Sequence, residues 1–230
     1  MKPEDYPAQD RLSDFARPYA EEVMRRAVGI EGEDVLFGRD PYQSIGIHKA
    51  HNPNGTVFAF IHGGGWTNGY KEWNNFMAPA YTNHGVTFVS IGYRMAPMHT
   101  FPAGLNDCAK GVAWVFNNIV DYGGDPGRIF LGGHSAGGHY ASLLAIKNDW
   151  QSDLNVPGDV IKGCVPVSGV YRFGKNSGLK QRPRFLGEEN IGNAAAASPI
   201  LFINVGTCPF LMGHGESDFP HLIAQAEEME

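Results

Sequence analysis

Cysteine is scarce in this chain, and its scarcity argues against two kinds of stabilising site. The 230 residues include three cysteines, Cys108, Cys164 and Cys208. They are far apart and odd in number, so they match neither a disulfide framework nor the ligand spacing of a zinc site. We expect three reduced thiols, each acting as a small core residue, in a cytoplasmic protein.

Long apolar runs and clusters of positive charge are also missing. No stretch approaches the ~20 apolar residues that a bilayer span requires. The N-terminus has no positive region followed by an apolar core, which a secretory signal would have. The formal net charge is −6, and the only adjacent basic pair is at residues 25–26. We therefore expect no membrane span and no nucleic-acid partner.

Hydrophobic residues make up 43% of the chain, which suffices for one sizeable core. Strand-like and helix-like segments alternate, and this order predicts an α/β domain over 1–230 with a mostly parallel sheet covered on both faces by helices. The irregular segment 172–199 is longer than a normal connection and predicts a lid or binding loop. The pattern predicts helices at 11–28, 74–84, 102–122, 138–146 and from 222, strands within 33–49 and at 56–61, 86–91, 128–132, 160–167 and 209–212, and a turn at 125–127.

The string Gly-His-Ser-Ala-Gly at residues 133–137 follows one of these strands and precedes a helix. Strand, sharp Gly-x-Ser-x-Gly turn and helix is the context of a nucleophile elbow, which exposes its central side chain above the sheet. The glycines are needed where a Cβ would clash with the neighbouring strand and helix. The helix N-terminus behind Ser135 suits a developing oxyanion. These features predict Ser135 as a nucleophile.

A second motif, His-Gly-Gly-Gly-Trp at residues 62–66, follows the strand at 56–61. Glycines at a strand end let the backbone turn its N–H groups into a cavity without steric penalty. The alternative for such a run is a flexible loop. Two motifs in this order, each after a strand, favour a site for acyl transfer.

Six strings together resemble the alpha/beta-hydrolase fold, and within it the esterase group that includes hormone-sensitive-lipase-like esterases and kynurenine formamidases. They extend over roughly residues 35 to 230 and lie at 62–66, 93–97, 101–103, 122–126, 133–139 and 214–218. The resemblance implies that Ser135 is the nucleophile and that Gly64, Gly65 and Ala136 donate the N–H groups of the oxyanion hole.

The resemblance also implies that Asp218 is the triad acid, since the fold orders its triad as serine, acid, histidine. A carboxylate in a loop past a strand end can orient a catalytic imidazole. Glu216 is the competing carboxylate, two residues earlier. A third interpretation is that Asp218 only caps the following helix.

The departure from the family pattern is the catalytic histidine. Related enzymes carry it after one further strand, beyond the acid, so the C-terminal strand and helix are expected to be absent here. Three explanations stay open: a sequence that covers part of a protein, a naturally shortened or inactive form, or a local histidine. Structural roles are expected for the local candidates, His62, His134, His139, His214 and His221.

The expected reaction is hydrolysis of small carboxylic esters through an acyl-enzyme, with Trp66 lining the substrate pocket. It requires no metal and no organic cofactor. Arylformamidase activity on an N-formyl aryl amide is the alternative substrate class. A non-catalytic binding module is the alternative if the chain lacks the triad histidine. The expected partner is thus a small-molecule ester or formamide, and the sequence defines no oligomeric state.

Overall fold

The computed structural model describes residues 1–175, 177–179, 182–188, 192–204 and 206–229. These residues form a six-stranded sheet, with strands β1 (Glu33–Leu36), β2 (Ser44–His48), β3 (Gly55–Ile61), β4 (Thr87–Ile91), β5 (Gly124–His134) and β6 (Ile161–Val167). The α-helices of the described residues are α1 (Arg17–Ala27), α2 (Ala78–Thr82), α3 (Ala103–Asn118), α4 (Ala136–Ile146), α5 (Trp150–Asp153), α6 (Pro183–Leu186), α7 (Asn193–Ala196) and α8 (Pro220–Met229).

The strand order across the sheet is β1-β2-β4-β3-β5-β6. The pairs β3–β4, β3–β5 and β5–β6 are parallel, whereas β1–β2 and β2–β4 are antiparallel. Helices cover both faces. The predicted α/β class with a central parallel sheet is therefore confirmed, and the antiparallel pairs lie at the edge formed by the two short strands predicted within 33–49.

The central strand β3 is apolar and buried from Val57 to Ile61, because both faces of the sheet are covered there. Val57, Ala59 and Ile61 belong to the main core on one face. Phe58 and Phe60 belong to a second cluster on the opposite face. This alternation follows from the two-residue period of a strand. The strand ends at Ile61, and the glycine string at 62–66 begins at the next residue.

Two of the predicted helices differ from the structure, one in its first residue and the other in its helix type. The helix predicted at 11–28 begins only at Arg17. The helix predicted at 74–84 is a 3₁₀ segment, Lys71–Met77, followed by α2 from Ala78 to Thr82. Pro79 lies in the first turn of α2, where its missing N–H removes no helical hydrogen bond.

The turn predicted at 125–127 lies inside β5 as a local irregularity. The register between β3 and β5 shifts between Gly55 and Val57, opposite this part of β5. The carboxylate of Asp125 accepts the N–H of Gly127 at 2.8 Å, which is a turn-like contact within the strand. The tight bend is thus present, and the strand pairing begins before it.

The chain after β6 runs along the outer side of that strand. Residues 209–212, predicted as a strand, form an isolated parallel bridge from Phe210 to Cys164, and Gly213 just after them forms another to Val167. The described part of the predicted lid, 172–199, contains the short helices α6 and α7. Its residues 176, 180–181 and 189–191 lie outside the described residues. None of the described helices is both long and apolar enough to cross a bilayer.

Candidate functional site

Ser135 forms the turn between β5 and α4, at the carboxyl end of the central sheet. Its φ of 53° and ψ of −115° are unusual for a residue with a side chain. Its N–H donates to the carbonyl of Val167 at 2.8 Å, and its carbonyl accepts the N–H of His139 at 3.0 Å. The turn is therefore held from the end of β6 and from α4, and the serine is only partly buried.

The glycines beside Ser135 are required by close backbone contacts. A Cβ on Gly133 would lie 2.3 Å from the carbonyl of Gly137, inside van der Waals contact. A Cβ on Gly137 would lie 2.1 Å from the carbonyl oxygen of Ile61 at the end of β3. Without side chains at these positions, the first turn of α4 can approach both β5 and β3.

The glycine string after β3 adopts conformations that favour glycine. Gly64 has a φ of 118°, and Gly65 has a φ of 62°. A Cβ on Gly65 would meet no atom within 4 Å, so this residue faces open space. Within the described part of the chain, the N–H groups of Gly64, Gly65 and Ala136 donate to no protein acceptor.

This glycine string lies directly against the serine turn. A Cβ on Gly63 would be 3.4 Å from the Cβ of Ser135 and 2.9 Å from the carbonyl oxygen of His134. The string predicted as one half of an oxyanion hole and the turn predicted as the other half are therefore neighbours. The arrangement offers unpaired main-chain donors beside a partly exposed hydroxyl.

Asp218 lies in the loop before α8 and contacts the end of β6. Its Oδ2 accepts the hydroxyl of Ser168 at 2.6 Å and the N–H of Gly215 at 2.9 Å. Ser168 itself has a φ of 51°, and its N–H donates to Gly213. Its neighbour Val167 accepts the Ser135 N–H. The acid loop and the serine turn are therefore both hydrogen-bonded to residues 167 and 168, at the end of β6.

The environment of Asp218 favours its ionised form. Burial raises the pKa of this carboxyl, and the hydrogen bonds from Ser168 and Gly215 lower it. The nearby His134 and His214 lower it as well, and together these four groups outweigh burial, so the pKa lies below its ordinary value. Glu216, the competing carboxylate, is exposed.

Two histidines near Ser135 are occupied in structural contacts. His62 is fully buried, stacks on Tyr93 with 4.3 Å between ring centroids, and places Nδ1 2.7 Å from the carbonyl of Gly63. His139 accepts the indole N–H of Trp66 at 3.1 Å and lies 2.6 Å from the carbonyl of Ala197. Burial lowers the pKa of His62 to about 4 and that of His139 to about 3, so both rings are neutral.

The other three candidates have different neighbours. The Nδ1 of His134 lies 3.3 Å from the hydroxyl of Tyr19. His214 contacts the carbonyl of Gly215 at 3.3 Å, within the acid loop. The ring of His221 stacks on the ring of Phe219, two residues earlier. None of the histidines in the described residues forms a hydrogen bond with the hydroxyl of Ser135.

Trp66 is only 4% exposed. Its indole stacks on Phe185 with 4.3 Å between centroids and packs against Phe173 and His139. Residues from the predicted lid therefore cover this ring. The side chain connects the glycine string to α4, and its part in lining a substrate pocket stays a prediction.

The described residues contain no group of three or more His, Cys, Asp or Glu side chains that could hold a metal ion. Sequence reasoning missed Ser168, whose only signal is its position directly after the predicted strand at 160–167. It also missed Gln9, whose side chain contacts Gly69 across 60 positions of the sequence. No local pattern identifies such a long-range contact.

The BD-FAE family model matches residues 45–230, which is more than half of the chain. Esterase LipQ of Mycobacterium tuberculosis is 34% identical over 177 residues, covering 70% of this chain and 42% of the relative. A probable isoprenylcysteine alpha-carbonyl methylesterase of Oryza sativa subsp. japonica is 36% identical over 146 residues, covering 60% of this chain and 34% of the relative. The chain thus spans less than half the length of these two curated relatives.

Solved structures of esterases share the fold. An esterase of Pyrobaculum calidifontis superimposes with a TM-score of 0.75 at 22% identity, covering 94% of this chain and 77% of the other. Esterase 2 of Thermogutta terrifontis, phosphoramylated by tabun, gives a TM-score of 0.73 at 21% identity, covering 86% and 76%. With its serine elbow, its glycine string and the match over 45–230, this chain belongs to the BD-FAE family and has the α/β-hydrolase fold.

Proposed function

We propose that the protein hydrolyses small carboxylic esters through an acyl-enzyme formed on Ser135. The observation that carries the proposal is the contact between the serine turn and the glycine string. A Cβ added to Gly63 would lie only 3.4 Å from the Cβ of Ser135. Family membership supports the same reaction class, because the curated relatives named above are esterases.

In the proposed reaction the Ser135 hydroxyl attacks the ester carbonyl, and the carbonyl oxygen becomes an oxyanion. The N–H groups of Gly64, Gly65 and Ala136 stabilise this charge. Each such donor lowers the barrier by roughly 3 kcal/mol in enzymes of this kind. The alcohol then leaves, and water hydrolyses the acyl-enzyme to the acid and free serine.

Both steps need a base that takes a proton from the attacking oxygen and returns it to the leaving group. We assign this role to an imidazole between Ser135 and Asp218. The ionised carboxylate of Asp218 would hold its tautomer and stabilise the imidazolium. The position of that histidine in the protein stays a prediction, since the histidines of the described residues make other contacts.

The same reasoning gives the finer assignments. The partner is a small-molecule ester. A cavity of about 320 Å³ lies in the predicted lid, bordered by the apolar Phe173 and Leu186 and by the charged Arg182 and Glu188, and a small ester could enter it. We place the protein in the cytoplasm, because all three cysteines are unpaired thiols.

Covalent labelling of the full-length protein with a fluorophosphonate tests the proposal. We expect one adduct on Ser135, none in Ser135→Ala, and wild-type labelling in Ser152→Ala, which removes an exposed serine hydroxyl. Turnover of phenyl acetate should follow the labelling. Equal labelling of Ser135→Ala would refute the assignment, and faster turnover of N-formylkynurenine than of phenyl acetate would move the substrate class to formamides.

A further inference from the structure

The N-terminal segment at residues 6–10 lies along the loop that follows the glycine string. The side-chain amide of Gln9 pairs with both main-chain groups of Gly69. Its Nε2 donates to the Gly69 carbonyl at 2.8 Å, and its Oε1 accepts the Gly69 N–H at 2.8 Å. Gly69 is buried and lies in no strand or helix, so Gln9 supplies the hydrogen bonds that a neighbouring strand would otherwise provide.

Gly69 in turn packs against the beginning of the glycine string. Its φ is 116°, and a Cβ there would lie 2.4 Å from the Nδ1 of His62 and 2.6 Å from the carbonyl oxygen of Gly63. The His62 ring is itself within 2.7 Å of that same carbonyl. The position of Gly69 therefore limits how the peptide after Gly63 can turn.

A second contact joins the same two segments one residue earlier. The side chain of Asn68 donates to the carbonyl of Asp10 at 2.6 Å. The Asn68 N–H donates to the carbonyl of Gly64 at 3.0 Å. A Cβ on Gly64 would lie 1.9 Å from the Asn68 carbonyl oxygen. Residues 64–69 thus form a closed turn whose outer side is held by residues 9 and 10.

The N-terminal segment is anchored just before Gln9, at Tyr6 and Pro7. The hydroxyl of Tyr6 donates to the buried carboxylate of Glu72 at 2.8 Å. The carbonyl of Pro7 accepts the hydroxyl of Tyr42 at 2.7 Å. These contacts fix the segment to the main core, so Gln9 is an element of a rigid support.

We infer that Gln9 is a positioning residue, which acts through Gly69 and Asn68 to hold the N–H groups of Gly64 and Gly65 toward Ser135. This inference rests on the proposed function for its catalytic consequence. It concerns transition-state stabilisation, because in the proposed reaction the N–H groups of Gly64 and Gly65 stabilise the developing oxyanion. It therefore predicts an effect on kcat with little effect on KM.

The test compares Gln9→Leu with Arg11→Leu in the full-length protein. Arg11 is an exposed residue directly after this segment and makes no hydrogen bond to another described residue. In Gln9→Leu we expect kcat on phenyl acetate and the rate of fluorophosphonate labelling to fall about tenfold to a hundredfold, as misplacement of catalytic groups by ~1 Å can do. KM should stay within about twofold, and Arg11→Leu should match the wild type.

Hydrogen exchange of peptides over residues 62–70 gives a readout independent of catalysis. Exchange should be faster in Gln9→Leu than in the wild type and in Arg11→Leu. A wild-type protein without Ser135 labelling would refute the proposed function, and the exchange result would still decide whether Gln9 holds the loop. Normal labelling in the wild type, with Gln9→Leu equal to Arg11→Leu in rate and exchange, would overturn the inference.

Discussion

The hydroxyl of Ser168 donates a hydrogen bond to a carboxylate oxygen of Asp218, with 2.6 Å between the two oxygens. The contact spans 50 positions of the sequence and joins the end of β6 to the acid loop. It fixes one oxygen of the carboxylate and leaves the other without a partner in the described residues. An imidazole could approach that second oxygen.

Replacing Ser168 by Ala should lower the free energy of unfolding by about 1 kcal/mol at neutral pH, because a charged acceptor loses a donor at a partly solvated site. The pKa of Asp218 is lowered in the fold, so this stabilisation is present above the ordinary Asp pKa of about 3.9. It should vanish as the pH falls through the folded-state pKa. Urea unfolding at pH 7 and pH 3 measures it, with the exposed Ser217→Ala as the control.

Asp218→Asn and Glu216→Gln separate the two candidate acids. We expect Asp218→Asn to lower kcat by about 10⁴, as loss of the triad carboxylate does in a serine protease. Glu216→Gln should stay within about twofold of the wild type, since this side chain is exposed. Steady-state kinetics on phenyl acetate measures both, and the reverse ranking would assign the role to Glu216.

Gly137→Ala should destabilise the fold by at least about 2 kcal/mol, because the new methyl group would lie 2.1 Å from the carbonyl oxygen of Ile61. Gly158→Ala is the matched control, since a Cβ there meets no atom within 4 Å. That variant should be neutral or up to about 1 kcal/mol more stable. Equilibrium unfolding in urea gives both values, and equal stability of the two variants would contradict the packing argument.

The neutral, buried histidines predict a pH dependence of stability. The pKa of His139 is lowered to about 3 and that of His62 to about 4, so the unfolded chain binds protons that the folded chain does not between these values and about 6.5. Stability should therefore fall as the pH falls through this window, by about 1.4 kcal/mol per pH unit for each histidine.

His139→Gln tests this account, because glutamine keeps a donor and an acceptor but does not titrate. The slope of the unfolding free energy against pH near pH 5 should decrease by about 1.4 kcal/mol per pH unit, which is the contribution of one proton. The exposed His51→Gln is the matched control. Urea titrations between pH 5 and 7 measure the slopes, and an unchanged slope in His139→Gln would contradict the assignment.

Local patterns in the sequence were sufficient for much of the fold. The elbow around Ser135 and the helix α4 were predictable, because the glycine spacing and the apolar run after it act over a few residues. The helix from Pro102 to Tyr122 was predicted with one change, a final 3₁₀ turn at Ile119–Tyr122. The helix predicted at 74–84 was partly wrong, since apolar spacing does not separate a 3₁₀ segment from an α-helix there.

The supports of the candidate site were not predictable in the same way. Ser168 and Gln9 act through partners that are 50 and 60 positions away. A single serine or glutamine carries no local signal of such a contact. Their partners become neighbours only in the folded chain.

Because Ser135 has a φ of 53°, its hydroxyl is kept at a position where the backbone would favour glycine. Ser135→Gly should therefore unfold at a higher urea concentration than the wild type, while losing the reactive oxygen. Stability and activity thus favour different residues at position 135. Random mutagenesis selected for heat resistance alone would tend to remove the nucleophile.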